Sequence, residues 1–331
     1  MPITGLGPHG ERATPANRLK LSSEDQQLAQ DRRFSVAIVL HTARSDWSNQ
    51  QMAGIVGTLG DCAAVVTEVV DCGFDAPTQI AALERLGRAP VDAIISVPVA
   101  NATVAEAHRQ VARASIKLIL HDNVPTGLLP GSDYTSLVSA DNFGLGLIAA
   151  ELLAAHIPPG REIVLLAYGE DFYATNEREI AFGRWMLVNR PDIKVRTVRF
   201  AGLDTAGEAA LTAARAHPGI AGMFVVWDTP AIGAIAALEA SGFGIPVTTV
   251  DLGNDAAVLL SQGRQIVGIA AQQPYWQGVA VAEATILAML GRIIPSWVAL
   301  PGLAVTRQNV AEMYQTVWRA QAPRDIIDAL K

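Results

Sequence analysis

A pair of α/β lobes, each built on a doubly wound parallel sheet, is the fold class that the sequence predicts. Three observations predict it. The chain has 331 residues, beyond the ~250–300 at which a single hydrophobic core usually stops growing. Short apolar runs alternate with helical segments, the mark of βαβ units. That alternation then begins a second time near the middle of the chain.

Taken in order, residues 1–20 are rich in Pro, Gly and charge and read as a loose tail. Ser22 or Ser23 is placed to N-cap a short helix, and continuous order is expected from about Arg33. The first winding reads SVAIVLH, a helix over 48–59, AAVVTEVV, a helix over 77–88, DAIISV, a helix over 103–114 and IKLILH. The second opens with SLVSA and a helix started by Asp141 and Asn142. It continues through EIVLLAY, a helix over 175–189, KVRTVRF, a helix over 205–216, GMFVVW, a helix over 230–241 and VTTVD. QIVGIAA, a helix from Pro274 to about Leu290, the Pro-punctuated run IIPSWVALPGLAV and two tail helices follow. The late strand and helix are surplus to the second sheet, so the chain is expected to return to the first lobe.

Composition narrows the function. Half of the residues are hydrophobic and 17% are charged, ample for packed cores. A net charge of -7, with no cluster of Lys and Arg to neutralise phosphates, argues against a nucleic-acid partner. Cys62 and Cys72 bracket a strand whose ends would lie roughly 30 Å apart, so they are not expected to pair. Two cysteines complete no zinc pattern. The first 33 residues lack the apolar core of a secretory signal, and no apolar run reaches the ~18 residues of a membrane span.

In open parallel sheets ligands bind beyond the carboxyl ends of the strands, and those positions here share a character. The first strand is followed by His41, then Ser45, Asp46 and Trp47; another by His121, Asp122 and Asn123. In the second winding come Phe172, Asn176 and Arg178, then Trp227 and Asp228, then Asp251. Carboxylates that accept from hydroxyls, beside flat aromatics that lie against C–H faces, suit a polyol. Four acids would repel an anion, which favours a neutral solute. Each acid alone reads equally well as a helix cap; five concordant junctions are what favour a site. The G-x-G-x-x-A run from Gly144 to Ala149 lacks the acidic residue a dinucleotide site needs and reads as helix packing. His41 and His121 read as neutral cleft or packing histidines rather than metal ligands. No nucleophile elbow or phosphate loop is present, so no catalytic residue, metal or cofactor is expected.

The ordered segments SDWSNQQMAGI, DAPTQIAALERL, VDAIISVPV, VSADNFGLG, FYATNEREIAFG, VVWDTPAIGAIAAL, TTVDLG and IAAQQPYWQG resemble those of type I periplasmic solute-binding proteins of sugar ABC transporters, in the ribose-binding branch. The resemblance covers nearly everything from Arg33 to Lys331. It implies two lobes joined by three hinge crossovers, near 134–138, 271–273 and 299–303, with a ligand cleft between them. The division it implies is a tail over 1–32, one lobe over 33–136 plus 273–300, and the other over 137–272 plus 301–331. It implies a small neutral polyol or monosaccharide as ligand, a membrane permease as partner, a monomer, and a place in the periplasm. Carried over by position, the cleft contacts fall at Ser45, Asp46, Trp47, Asp122, Asn123, Asn176 or Arg178, Trp227, Asp228, Asp251 and Gln272. Trp227 stands where the ribose-binding pattern has an asparagine, and Asn176 where it has an arginine, which implies a solute other than ribose. The ligand-sensing core of a lac-repressor-type regulator is the alternative; the ~32 residues ahead of the first strand hold no helix-turn-helix.

Overall fold

The structure of the protein, a computed structural model, describes residues 2–331. After a two-residue strand β1 (Thr14–Pro15) and helix α1 (Ser23–Arg32), the first winding runs β2 (Ser35–Leu40), α2 (Asp46–Asp61), β3 (Val65–Asp71) and α3 (Ala76–Leu86). It continues with β4 (Ala93–Ser96), α4 (Ala105–Arg113), β5 (Lys117–His121) and β6 (Ser136–Ala140). The second runs α5 (Asn142–Ala154), β7 (Glu162–Tyr168), α6 (Tyr173–Asn189), β8 (Lys194–Phe200), α7 (Ala206–Ala216) and β9 (Ile220–Val225). Then come α8 (Asp228–Ala240), β10 (Val247–Val250), α9 (Asn254–Ser261) and β11 (Ile266–Ala271). The chain ends with α10 (Pro274–Met289), β12 (Trp297–Leu300), β13 (Leu303–Val305), α11 (Val310–Trp318) and α12 (Arg324–Ala329).

These strands form two sheets, ordered β1-β12-β6-β5-β4-β2-β3 and β13-β11-β10-β9-β7-β8. All pairings are parallel except that of β13 with β11. Inner strands such as β4, AIIS, are buried throughout, whereas the edge strand β3 alternates, leaving Val65 and Val69 exposed. That contrast is what helices on both faces of a sheet impose.

Three crossovers join the lobes, between β6 and α5, β11 and α10, and β12 and β13. As a result α5 leaves the first sheet to pack on α6 and the second sheet, while α10 leaves the second to pack on α2. Glycines permit both contacts: a Cβ on Gly54 would stand 2.2 Å from the Tyr275 carbonyl, one on Gly278 2.2 Å from that of Gln51, and one on Gly146 2.3 Å from that of Arg178. The glycines of the G-x-G-x-x-A run thus lie within α5, and Gly146 serves its packing.

Two expectations are corrected. The division at 136/137 falls inside β6, which belongs to the first sheet; the lobe ends at Ala140, and the crossover expected near 134–138 lies at 140–141. The N-terminal residues are no loose tail. β1 pairs with β12, the Thr4 and Gly5 amides donate to the Asp141 carboxylate at 2.6 and 3.0 Å, and Tyr173 Oη donates to the Leu6 carbonyl at 3.1 Å. Their partners lie over a hundred residues away in sequence, where local composition carries no trace of them. Cys62 and Cys72 are free and buried, and no helix among the described residues is long and apolar enough to cross a membrane.

Candidate functional site

The two sheets present their carboxyl ends to each other, and β5 and β10 hold equivalent places in them. Each ends on an aspartate in the left-handed region: Asp122 at φ 56° and Asp251 at φ 74°. Each N–H bonds the neighbouring strand, Asp122 to the Val138 carbonyl at 2.9 Å and Asp251 to that of Ala270 at 3.2 Å. Asp tolerates this backbone better than most residues, yet it is a conformation that recurs where a side chain must be aimed at a ligand. Pairing of Val225 with Thr249 sets the end of β9, with Trp227 and Asp228, beside Asp251.

Between the lobes lies a cavity of about 280 Å³. At its polar end stands Arg178, 3% exposed. Its Nε donates to Asn142 Oδ1 at 3.0 Å, its Nη1 to the Val226 carbonyl at 3.0 Å, and its Nη2 lies 3.9 Å from the Asp122 carboxylate. Gln272 Nε2 donates to Asp251 Oδ1 at 2.7 Å, and the Gly253 amide donates to Asp228 Oδ2 at 3.0 Å. Burial, and then the Asp251 carboxylate, push the Asp228 carboxyl well above the usual range. Burial likewise raises Asp251, with Arg178 opposing and Asp122 reinforcing the rise. Asp122 and Asp251 face one buried guanidinium with Asp228 beside Asp251, and these groups leave acceptor capacity that a polyhydroxylated molecule can fill.

The aromatic wall centres on His41. Its ring lies 4.8 Å from that of Phe74 and 5.3 Å from that of Trp47, both edge-on, while Trp47 stacks on His121 at 5.7 Å. Burial, then the neighbouring His121, lower the His41 pKa to about 3, so the ring is neutral at physiological pH. Trp47 Nε1 and His41 Nδ1 are buried with no hydrogen-bond partner among the described residues. Buried polar atoms in native proteins are nearly always satisfied, so both point to a partner that enters the cavity. On the opposite wall Trp227 packs on Tyr168 at 5.2 Å and on Phe200 at 5.5 Å.

Of the residues expected from sequence, Ser45, Trp47, Asp122, Phe172, Arg178, Trp227, Asp228, Asp251 and Gln272 line this cavity. Four do not. Asp46 accepts from the Asn254 amide and side chain at 2.9 and 3.2 Å. Asn123 donates to the Pro98 carbonyl and accepts from the Tyr173 amide at 2.8 Å. His121 is fully buried between the Val138 carbonyl and Gln51. Asn176 donates to Asp171 at 2.6 Å. The cavity also takes in Thr42, Arg44, Val97, Thr175 and Thr229, together with Phe74 and Leu203 from the loops after β3 and β8. Examining the ends of the two edge strands as closely as the inner ones would have found that last pair. Among the described residues no group of three His, Cys, Asp or Glu is arranged to hold a metal.

A family model described as a periplasmic binding protein domain matches residues 36–292. The ribose import binding protein RbsB of Bacillus subtilis (strain 168) is 26% identical over 237 residues, 70% of this chain and 74% of its own. A carbohydrate transporter solute binding protein from Agrobacterium radiobacter, solved in complex with D-arabinose, superimposes with a TM-score of 0.79 at 20% identity, over 86% of this chain and 99% of that one. An ABC transporter solute binding protein from Agrobacterium vitis, bound with alpha-D-tagatopyranose, does so with a TM-score of 0.79 at 21% identity, over 88% and 100%. These two likenesses speak to the fold.

Proposed function

The chain belongs to the periplasmic binding protein domain family, and on that premise we propose that it is the solute-binding component of an ABC importer. It closes on a neutral monosaccharide or sugar alcohol outside the cytoplasm and presents the closed complex to a membrane permease. It carries out no chemistry on the solute and works as a monomer without nucleic acid. The observation that carries this reading is the interlobe cavity, with Asp122, Arg178, Asp251 and Gln272 at one end and Trp47, Phe172 and Trp227 in its walls. At about 280 Å³ it lies just below the usual range of ligand clefts, roughly 300–1,000 Å³, which supports one sugar ring over an oligosaccharide. The regulator alternative draws no support from the relatives, which are named as import and transport proteins.

A melting screen against pentoses, hexoses, deoxysugars and alditols tests the proposal. A solute at 100 times its dissociation constant adds about 2.7 kcal/mol of stability, so at least one of these compounds should raise the melting temperature by several degrees. If none does while an amino acid or an anion does, the polyol reading is wrong.

A further inference from the structure

Gln79 and Gln277 are both fully buried in the first lobe, yet they are bonded in different ways. Gln79 has both ends of its amide engaged by backbone: its Nε2 donates to the Val97 carbonyl at 2.9 Å, and its Oε1 accepts from the Val99 amide at 2.9 Å. It holds the chain after β4. Gln277, one turn into α10, has a single end engaged. Its Nε2 donates to Gln272 Oε1 at 3.1 Å, while its own Oε1 is buried with no partner among the described residues. A buried amide with an unpaired carbonyl costs stability that an apolar side chain of the same size does not, so packing of α10 gives no reason for a glutamine there.

The bond that Gln277 does make leads to the cavity. Gln272 follows β11 and Asp251 follows β10, neighbouring strands of the second sheet, and Gln272 Nε2 donates to Asp251 Oδ1 at 2.7 Å. A side-chain amide has a donor end and an acceptor end; with its Oε1 held by Gln277, Gln272 turns its Nε2 to Asp251. We infer that Gln277 is a positioning residue for solute binding, which acts through Gln272 by fixing the direction of that amide. The cavity then meets an N–H donor at Gln272, and Asp251 keeps its second oxygen, Oδ2, free to accept. Such a pair selects a solute that sets an accepting oxygen beside a donating hydroxyl. Gln277 itself does not line the cavity. The inference rests on the proposed reading of that cavity as the solute site.

Gln277→Met keeps the length of the side chain and removes the donor. The Asp251 carboxyl carbon, followed by NMR against pH with no solute added, tests the positioning whether or not a polyol binds. A hydrogen bond to the charged form favours that form, so loss of the orienting contact should move the Asp251 titration upward. Arg178, Asp122 and Asp228, which also act on that carboxyl, are the same in both proteins. Calorimetric titration with the solute found in the screen should show affinity about fivefold weaker, the size of one neutral hydrogen bond, with the unliganded melting temperature unchanged or raised. A residue that served packing alone would lower the melting temperature and leave the Asp251 titration in place. With Gln272→Leu already present, adding Gln277→Met should weaken binding no further. Gln277→Glu, which puts an acceptor where the donor was, provides a second route and is expected to weaken binding more than Gln277→Met. An Asp251 titration identical in wild type and Gln277→Met, or equal losses of affinity with and without Gln272, overturns the inference. A screen in which no polyol binds, with the Asp251 shift present, refutes the solute reading and leaves the positioning of Gln272 established.

Discussion

In both lobes the fourth strand of the winding ends on an aspartate with positive φ whose N–H bonds the next strand, at Asp122 and at Asp251. From that shared start the two cleft walls diverge. The first lobe adds a neutral aromatic cluster around His41 and, in Asn123 and Asp46, acceptors for the other lobe's helices. The second adds charge: Arg178, which reaches across to Asp122, and a second carboxylate, Asp228, beside Asp251. Equivalent folds therefore carry unequal work. One wall presents aromatic surface and helix caps, the other most of the buried charge.

The largest expected effect breaks this asymmetry outright. Arg178→Met removes the guanidinium that faces Asp122 and Asp251, and leaving a buried charge unpaired costs ~3–5 kcal/mol. Calorimetric titration with the solute found in the screen should show affinity reduced more than a hundredfold, and the unliganded melting temperature should fall as well. Unaltered affinity would remove Arg178 from the site.

Asp251→Asn sharpens the comparison more gently. Asn tolerates a positive φ as Asp does, so shape is kept while an acceptor becomes a donor. Affinity is expected to fall at least tenfold, equivalent to ~1.4 kcal/mol, with little loss of unliganded stability. The outcome of a purely capping role would be affinity kept.

The smallest effect is a slope. Asp228 and Asp251 both titrate above the usual carboxylate range in the folded protein, so the folded state holds protons that the unfolded chain has released. Their contribution to stability is present below the usual carboxylate pKa and is lost as pH rises from there toward neutrality. Asp228→Asn should flatten that decline relative to wild type in melting curves between about pH 4 and 7. Identical slopes would show that the Asp228 carboxyl is not raised in the folded protein.

The chain order of strands and helices was legible because apolar runs and helical patterns are local. Helix α6, expected over 175–189 and observed over Tyr173–Asn189, is an instance. Helix α9 leaves no comparable trace in the sequence: eight residues, NDAAVLLS, started by a glycine with no capping side chain, carry too little periodicity. Its missing cap is itself the clue that another lobe supplies it, which the chain in one dimension does not express. SLVSA precedes the second run of helices and so reads as part of the second sheet, whereas hydrogen bonding puts β6 beside β5.

By itself the sequence determined the two-lobed α/β class and, through the rule that ligands gather at strand ends, eight of the residues that line the cavity, with Gln272 added by the family resemblance. Only the tertiary structure decided which polar side chains at those ends turn inward. Asp46 and Trp47 are neighbours in sequence, yet one side chain bonds the opposite lobe and the other faces the cavity, because successive residues of a helix's first turn point about 100° apart. It also decided that the N-terminal residues are bound rather than loose, since the acceptor for Thr4 and Gly5 is Asp141. A hydrogen bond depends on distance in space, and the chain sets that distance only once both lobes have folded.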